Sequence, residues 1–276
     1  MKKRMVYLLV LAALAVAACT PAAATEAPSA GTGAEGLPDL GGREVTVAVE
    51  NQYLPFNYID PATGEAAGWD YEVWNEICRL LNCVPVYTEA PWDTMIQAVA
   101  DGQFDAAADG ITINDERAEI VDFSNSYIGV DQRLLVRIDE TRIDSIEDIV
   151  ADESLRLGTQ TGTTNYATAE TYLPAERISA FDTFPFVIEA LVRNDVDAVI
   201  IDETAGLGYL GANADELKLV GPSMSADHLG FIYPKGSDLV DPVNQALQAM
   251  TDSGFMADVN LKYFGPSFTI TYDDLG

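Results

Sequence analysis

Histidine is nearly absent: His228 is the only one in 276 residues, and cysteine occurs three times, at Cys19, Cys78 and Cys83. Transition-metal sites draw on clusters of these two residue types, so no metal ligand is expected, and no cofactor. A single imidazole without a nucleophile motif beside it also argues against a Ser-His-Asp hydrolase. Basic residues are the other shortage, 15 Lys and Arg against 44 Asp and Glu, for a net charge of −29. Such a chain repels phosphate backbones, which excludes a nucleic-acid partner and argues against adhesion to anionic lipid. The apolar run from Met5 to Ala18 falls short of the roughly 20 residues that a membrane-spanning helix needs.

That run reads instead as part of an export signal. Lys2, Lys3 and Arg4 precede it and small residues close it, so residues 1–18 are expected to be removed. Val16-Ala17-Ala18-Cys19 resembles the bacterial lipoprotein processing box, in which the cysteine is acylated after cleavage; the alternative is an ordinary secretory peptide cut nearby. Removal takes the net charge from −29 to −32, so acyl chains on Cys19 would have to supply the anchor. Residues 19–42 hold Ala, Pro, Thr, Ser and Gly with scarcely a large apolar side chain, which cannot bury a core and predicts a flexible tether. The rest suits one large domain or two smaller lobes. In an exported protein Cys78 and Cys83 are expected as a disulfide, the alternative being two buried thiols.

Val45, Val47 and Val49 alternate within Glu44 to Glu50, which predicts a strand; Pro55 then forces a loop over Asn51 to Phe56. A helix is expected over Tyr71 to Leu81, a strand over Val84 to Thr88, and a helix entered at Trp92 and ended by Gly102. Phe104 to Ala108 reads as a strand that stops at Asp109-Gly110, with Arg117 seven residues past that glycine. The planar fork of Arg suits a carboxylate; the alternative is a solvated arginine paired with Asp115 or Glu116. Strands over Leu134 to Arg137, from Leu155, over Val196 to Ile201 and over Leu229 to Tyr233 are expected. Helices are expected over Ile143 to Ile149, Thr183 to Asn194 and, as a closing pair, Pro242 to Tyr263. The polar loop Gln160 to Asn165, between a strand and a helix, would expose N–H groups and hydroxyls that favour an anion. Asp202 stands at a strand's carboxyl end, either as a ligand group or as a helix cap. Strands alternating with helices point to βαβ units, whose ligands collect at the carboxyl edge of the sheet.

Several separated motifs then agree. Tyr53-Leu54-Pro55-Phe56, Gly68-Trp69-Asp70, Gly110-Ile111-Thr112-Ile113 with Glu116-Arg117, Val121-Asp122-Phe123-Ser124, Gly162-Thr163-Thr164, Val196 to Val199 before Asp202, and Lys262-Tyr263-Phe264-Gly265 occur in order. Across Arg43 to Gly265 the chain resembles the extracellular solute-binding proteins, family 3, of polar amino-acid ABC transporters. The resemblance implies a type II periplasmic-binding-protein-like α/β fold of two lobes, each a mainly parallel sheet flanked by helices. Lobe 1 would comprise 43–126 and 230–265, lobe 2 132–224, and a two-strand hinge 127–131 and 225–229, leaving a tail at 266–276. It implies that Arg117 takes a ligand α-carboxylate, with Thr112 and backbone N–H groups near Gly110, Ile111, Thr163 and Thr164. It implies that Asp202 takes the α-ammonium, and that Tyr53 and Trp92 wall the ligand side chain. Glu50 stands where related binders of glutamine or basic amino acids carry an acid, and Gln160 replaces the lysine of a glutamine binder, so a polar or basic amino acid is expected. The partners implied are an ABC permease and the lipid anchor, for a monomer exported to the periplasm or the extracellular face of the membrane.

Two other classes compete with a non-enzymatic transport role. The resemblance extends to dehydratases acting on prephenate-like acids, which would need a carboxylic acid poised as a proton donor in the cleft. An amino-acid sensor subunit reporting to a membrane kinase would have to act through a partner.

Overall fold

The computed structural model describes residues 36–212, 215–265, 267–270 and 274. The export signal, Cys19 and most of the tether expected at 19–42 lie outside the described residues, as does much of the tail.

In chain order the first elements are β1 (Arg43–Val49), β2 (Gln52–Tyr53), β3 (Asn57–Ile59), β4 (Ala66–Ala67), α1 (Trp69–Leu81), β5 (Cys83–Glu89), α2 (Trp92–Ala100), β6 (Ala106–Ala107), α3 (Asp115–Ala118) and β7 (Val121–Phe123). Then come β8 (Ile128–Arg137), α4 (Ile146–Ala151), β9 (Leu157–Gln160), α5 (Thr164–Tyr172), β10 (Ile178–Phe181), α6 (Phe184–Val192), β11 (Ala198–Asp202), α7 (Glu203–Ala212) and β12 (Leu217–Val220). The chain closes with β13 (Ala226–Leu229), β14 (Ile232–Pro234), α8 (Val240–Ser253) and α9 (Phe255–Phe264).

Two sheets organise these elements into two lobes. The first runs β5-β1-β6-β14-β7, the second β10-β9-β11-β8-β12 with β13 beside β8, and β2, β3 and β4 form a small third sheet. Each large sheet is parallel in one half and antiparallel in the other: β1 pairs parallel with β5 and β6, and β9 with β10 and β11. Strand β14 runs antiparallel to β6 and β7, and β8 antiparallel to β11, β12 and β13. The antiparallel halves arise where the chain passes from one sheet to the other. It leaves β7 for β8 between Phe123 and Ile128, and returns from β13 to β14 between Leu229 and Ile232. The two crossing segments pair with each other, Ile128 opposite Leu229 and Asp131 opposite Ala226.

Both faces of each sheet are covered, so central strands read as apolar runs rather than alternations. In β11, Val199 and Ile201 pack with Leu135, Val187 and Leu191, while Ala198 and Ile200 pack on the other face with Leu134, Val136, Ile149 and Ala169. In the first lobe Trp74, Ile77 and Leu81 of α1 meet Val243, Leu247 and Met250 of α8, and Met95 and Val99 of α2 cover the opposite face. Helix α1 starts at Trp69, ahead of the expected Tyr71, because loop carbonyls satisfy its first amides: Trp69 N donates to Pro55 O and Asp70 N to Phe56 O. It ends at Asn82 in the left-handed region, φ 53, and the Cys78 and Cys83 sulfurs are bonded around that end.

Other expected boundaries moved. The strand expected over Phe104 to Ala108 is only Ala106–Ala107, that expected at Leu134 begins at Ile128, and Leu229 to Tyr233 is split into the end of β13 and the start of β14. Phe268 of the tail packs its ring against Tyr58 and Tyr263, on the first lobe.

Candidate functional site

The carboxyl ends of β1, β6, β9 and β11 face one another across the gap between the two sheets. Glu50 follows β1 and Asp109 follows β6, while Gln160 and Asp202 end β9 and β11. Around them lies a cavity lined also by Tyr53, Trp92, Gly110, Thr112, Arg117, Thr163, Thr164, Asn165 and Phe184.

Each side chain is aimed by a local device. Asn114 caps the short helix α3 by accepting from the Arg117 amide at 2.8 Å, which turns the Arg117 side chain back into the cavity. Its guanidinium donates to the Thr112 carbonyl at 3.0 Å and, across to the second lobe, to the Gly162 carbonyl at 3.3 Å. The same group sits 5.3 Å from the Trp92 ring centre. Thr163 is the N-cap of α5, accepting from Tyr166 N at 3.1 Å, so the first turn of that helix opens on the cavity. Thr112 and Thr164 hydroxyls meet at 3.3 Å, and Ile113 N donates to the His228 carbonyl, tying this loop to β13.

Asp202 accepts from the Tyr53 hydroxyl at 2.6 Å and from Asn165 Nδ2 at 3.0 Å. Tyr53 in turn stacks on Phe56 and Phe184, with ring centres 5.3 and 6.0 Å away. Gly110 is needed here: its φ is +56 and an added Cβ would lie 2.5 Å from Tyr53 Cε1.

The charges are buried and unlike in sign. Arg117 is 8 % exposed, and burial lowers its pKa to about 10 against a favourable interaction with Asp202. Burial raises Asp202, opposed by its bonds to Tyr53 and Asn165. Glu50 is pushed up to about 8 by burial and then by the nearby Asp109; its bonds from the Trp92 amide and from Gln160, 3.5 Å away, act the other way. An arginine from one lobe and an aspartate from the other, facing one cavity, can neutralise a carboxylate and an ammonium held a few ångströms apart.

Of the residues that the sequence singles out, Glu50, Tyr53, Trp92, Gly110, Thr112, Arg117, Gln160, Thr163, Thr164 and Asp202 line this cavity together. Ile111 does not: its side chain is fully buried in the core with Ala107, Val121 and Ile232, because the residue between two that face the cavity points the other way in an extended loop. Asp109, Asn165 and Phe184 also line the cavity. Asp109 carries the same signal that marks Asp202, an acid at a strand's carboxyl end. Phe184 falls in the helix expected over Thr183 to Asn194, where an apolar period does not distinguish a wall from core.

Comparisons with known proteins bear on this cleft. A histidine-binding protein of Neisseria gonorrhoeae, named as probable, is 27% identical over 270 residues, 96% of each chain. The L-cystine-binding protein TcyA of Bacillus subtilis is 28% identical over 223 residues, 80% of this chain and 81% of its own. Among solved structures, the arginine-, lysine-, histidine-binding protein ArtJ of Geobacillus stearothermophilus superimposes with a TM-score of 0.76 at 26% identity, covering 81% of this chain and 96% of its own. An ancestral amino-acid-binding protein, AncCDT-1, described as a precursor of cyclohexadienyl dehydratase, gives 0.73 at 29% identity over 80% of this chain and 95% of its own. Residues 45–266, which include every residue lining the cavity, match the bacterial extracellular solute-binding proteins, family 3, and the chain belongs to that family.

Proposed function

We propose that this chain is the substrate-binding subunit of an amino-acid ABC importer, capturing a free polar or basic L-amino acid between two closing lobes. One observation carries the reading: Arg117 of the first lobe and Asp202 of the second, both buried, face a single cavity with opposite charge. Arg117 takes the α-carboxylate with Thr112 and the amides around Gly110 and Thr164, and Asp202 takes the α-ammonium. Tyr53 and Trp92 wall the side chain, with Phe184 behind Tyr53. The lobes are 43–126 with 230–265 and 132–224, and the paired segments 127–131 and 225–229 form the hinge about which they close. Cys19 carries the lipid, and the closed, ligand-bound form is what the permease recognises. That the relatives above are named for binding histidine, cystine, arginine and lysine supports an amino acid and leaves the side chain open.

Thermal unfolding against the twenty amino acids tests this. A ligand at about a thousand times its dissociation constant adds ~4 kcal/mol to the folded state. If no amino acid raises the transition, the pocket is misassigned.

A second reading, an enzyme of the dehydratase kind, is favoured by Glu50, which holds its proton near neutral pH as a general acid must, and by the likeness to AncCDT-1. The assay for it is turnover of arogenate or prephenate. Conversion of either one, lost in Glu50→Gln, establishes the enzyme; binding without conversion leaves transport.

A further inference from the structure

The acids of the cleft outnumber what a zwitterion needs. The α-groups of an amino acid are matched by Arg117 and Asp202, and Arg117 is the only cation among the described residues that line the cavity. Two further carboxylates, Glu50 and Asp109, line it as well, and they are 7 % and 2 % exposed.

Asp109 is held in place. Asn57 Nδ2 donates both to Asp109 Oδ1 at 2.6 Å and to Asp70 Oδ2 at 3.0 Å, while Asn57 Oδ1 accepts from the Asn51 amide at 2.7 Å. One amide therefore clamps two buried acids, one from the loop after β6 and one from α1. The remaining oxygens, Asp109 Oδ2 and Asp70 Oδ1, have no hydrogen-bond partner. Buried carboxylate oxygens left bare are costly, and the cost falls if a proton or a cation sits among them.

We propose that Asp109, clamped by Asn57 against Asp70 and adjacent to Glu50, is a second specificity-determining carboxylate of the cleft, and that this acid set gives up a proton when it receives the cationic end of a ligand side chain. The inference rests on the amino-acid reading above and narrows it to ligands with a basic side chain. In the exchange one carboxylic O–H breaks, the proton leaves to solvent, and the ligand cation, which keeps its own protons, takes the place of that charge. The groups facing the set from neighbouring elements are consistent with it. Asp93 at the start of α2 adds negative charge, the Trp92 and Glu50 amides and Gln160 donate hydrogen bonds, and the Tyr127 and Tyr71 phenols are neutral. Burial drives Glu50, Asp109 and Asp70 each up to about 8, so the set holds protons at neutral pH. A ligand ending in an uncharged amide has no charge to trade.

Titration calorimetry on the full chain decides this, with L-arginine, L-lysine and L-glutamine as probes, in two buffers of different ionisation heat at pH 7 and then in one buffer from pH 6 to 8.5. For arginine or lysine, binding should release close to one proton and tighten by about tenfold per pH unit below the carboxyl pKa; glutamine should release none. Asp109→Asn should flatten the arginine slope and shrink the preference for arginine over glutamine, with unfolding measured in parallel. Arginine or lysine bound with no proton release and a flat profile in the parent protein overturns the exchange without reference to any variant. Glutamine bound while arginine and lysine are refused overturns the cationic assignment and leaves the importer reading standing. Failure of every amino acid to bind overturns both.

Discussion

Arg117→Ala separates a ligand grip from a structural arginine, because the two roles move different observables. Burial lowers the Arg117 pKa from 12.5 to about 10, so at pH 7 the buried charge costs roughly 3 kcal/mol relative to the unfolded chain. Against that stand its bonds to the Thr112 and Gly162 carbonyls, each about 1.5–3 kcal/mol for a charged donor. The two largely offset, so removing the side chain should move ligand-free stability by less than about 2 kcal/mol, a few degrees in Tm. Ligand affinity responds differently. Deleting one partner of a buried, hydrogen-bonded charge pair costs about 2–5 kcal/mol, which is roughly 30-fold to several thousandfold in Kd. Arg117→Lys keeps the charge without the fork and should recover only part of that loss. Calorimetric titration and scanning calorimetry on the same preparations give both numbers. Affinity within fivefold of the parent would refute the carboxylate grip. A drop of about 10 °C in ligand-free Tm with affinity intact would make Arg117 a structural residue.

Asp202→Asn keeps the size and one acceptor for Tyr53 and Asn165 but removes the charge, so amino-acid affinity should fall at least ~30-fold with little change in fold stability; an unchanged Kd excludes ammonium recognition there. Gly110→Ala forces a Cβ onto a stacked Tyr53 ring at positive φ and should cost about 1–3 kcal/mol of stability along with binding, read by denaturant melts. Two opposite pH dependences are expected in the ligand-free protein. Asp70 and Asp109 have folded pKa values raised to about 8, so their contribution is fully present below pH ~4 and is lost as pH rises through 8; Asp70→Asn should flatten the fall in Tm between pH 5 and 9. Glu140 is lowered to about 2, first by its bond from Arg142, so its contribution is present above pH ~4.5 and lost on acidification towards 2; Glu140→Gln should remove roughly 1–3 kcal/mol at pH 7 and little at pH 2.

What the chain discloses in advance follows from how many residues carry each signal. Helix α1 repeats its apolar positions over three turns, and β1 and β11 are long enough to show a pattern, so they are legible. Strands β2, β4 and β6 have two residues each and no period to read; they exist because β3 and β1 supply partners from elsewhere in the chain. The antiparallel halves of the sheets are set where β8 and β13 cross between lobes, and alternation of helices and strands says nothing of direction there. Within the cleft, the place of Asp202 is legible from an acid at a strand's carboxyl end, and that of Thr112 and Arg117 from the motif that follows Gly110. The pairing of Asp70 with Asp109 through Asn57 is not, since it joins three residues far apart in sequence by one amide.

The same cross-lobe contacts that close the cleft also define what a ligand must do. Tyr53 to Asp202, Arg117 to Gly162, Thr112 to Thr164 and Glu50 to Gln160 each join a group of the first lobe to one of the second. Every one of them uses at least one group that a bound amino acid would need, so entry of the ligand exchanges protein partners for ligand partners and adds few contacts outright. Net affinity is then small per bond and large only where the protein partner is a poor match. Asp202 has good neutral partners in Tyr53 and Asn165, and an ammonium must outcompete them. Asp109 has one bare oxygen, and Glu50 is held by the Trp92 amide and by a long contact from Gln160 at 3.5 Å. On the proposed reading the groups with most to gain from a ligand are Asp109 and Glu50, so selectivity would sit at the side-chain end of the cleft, with the α-groups as a common anchor.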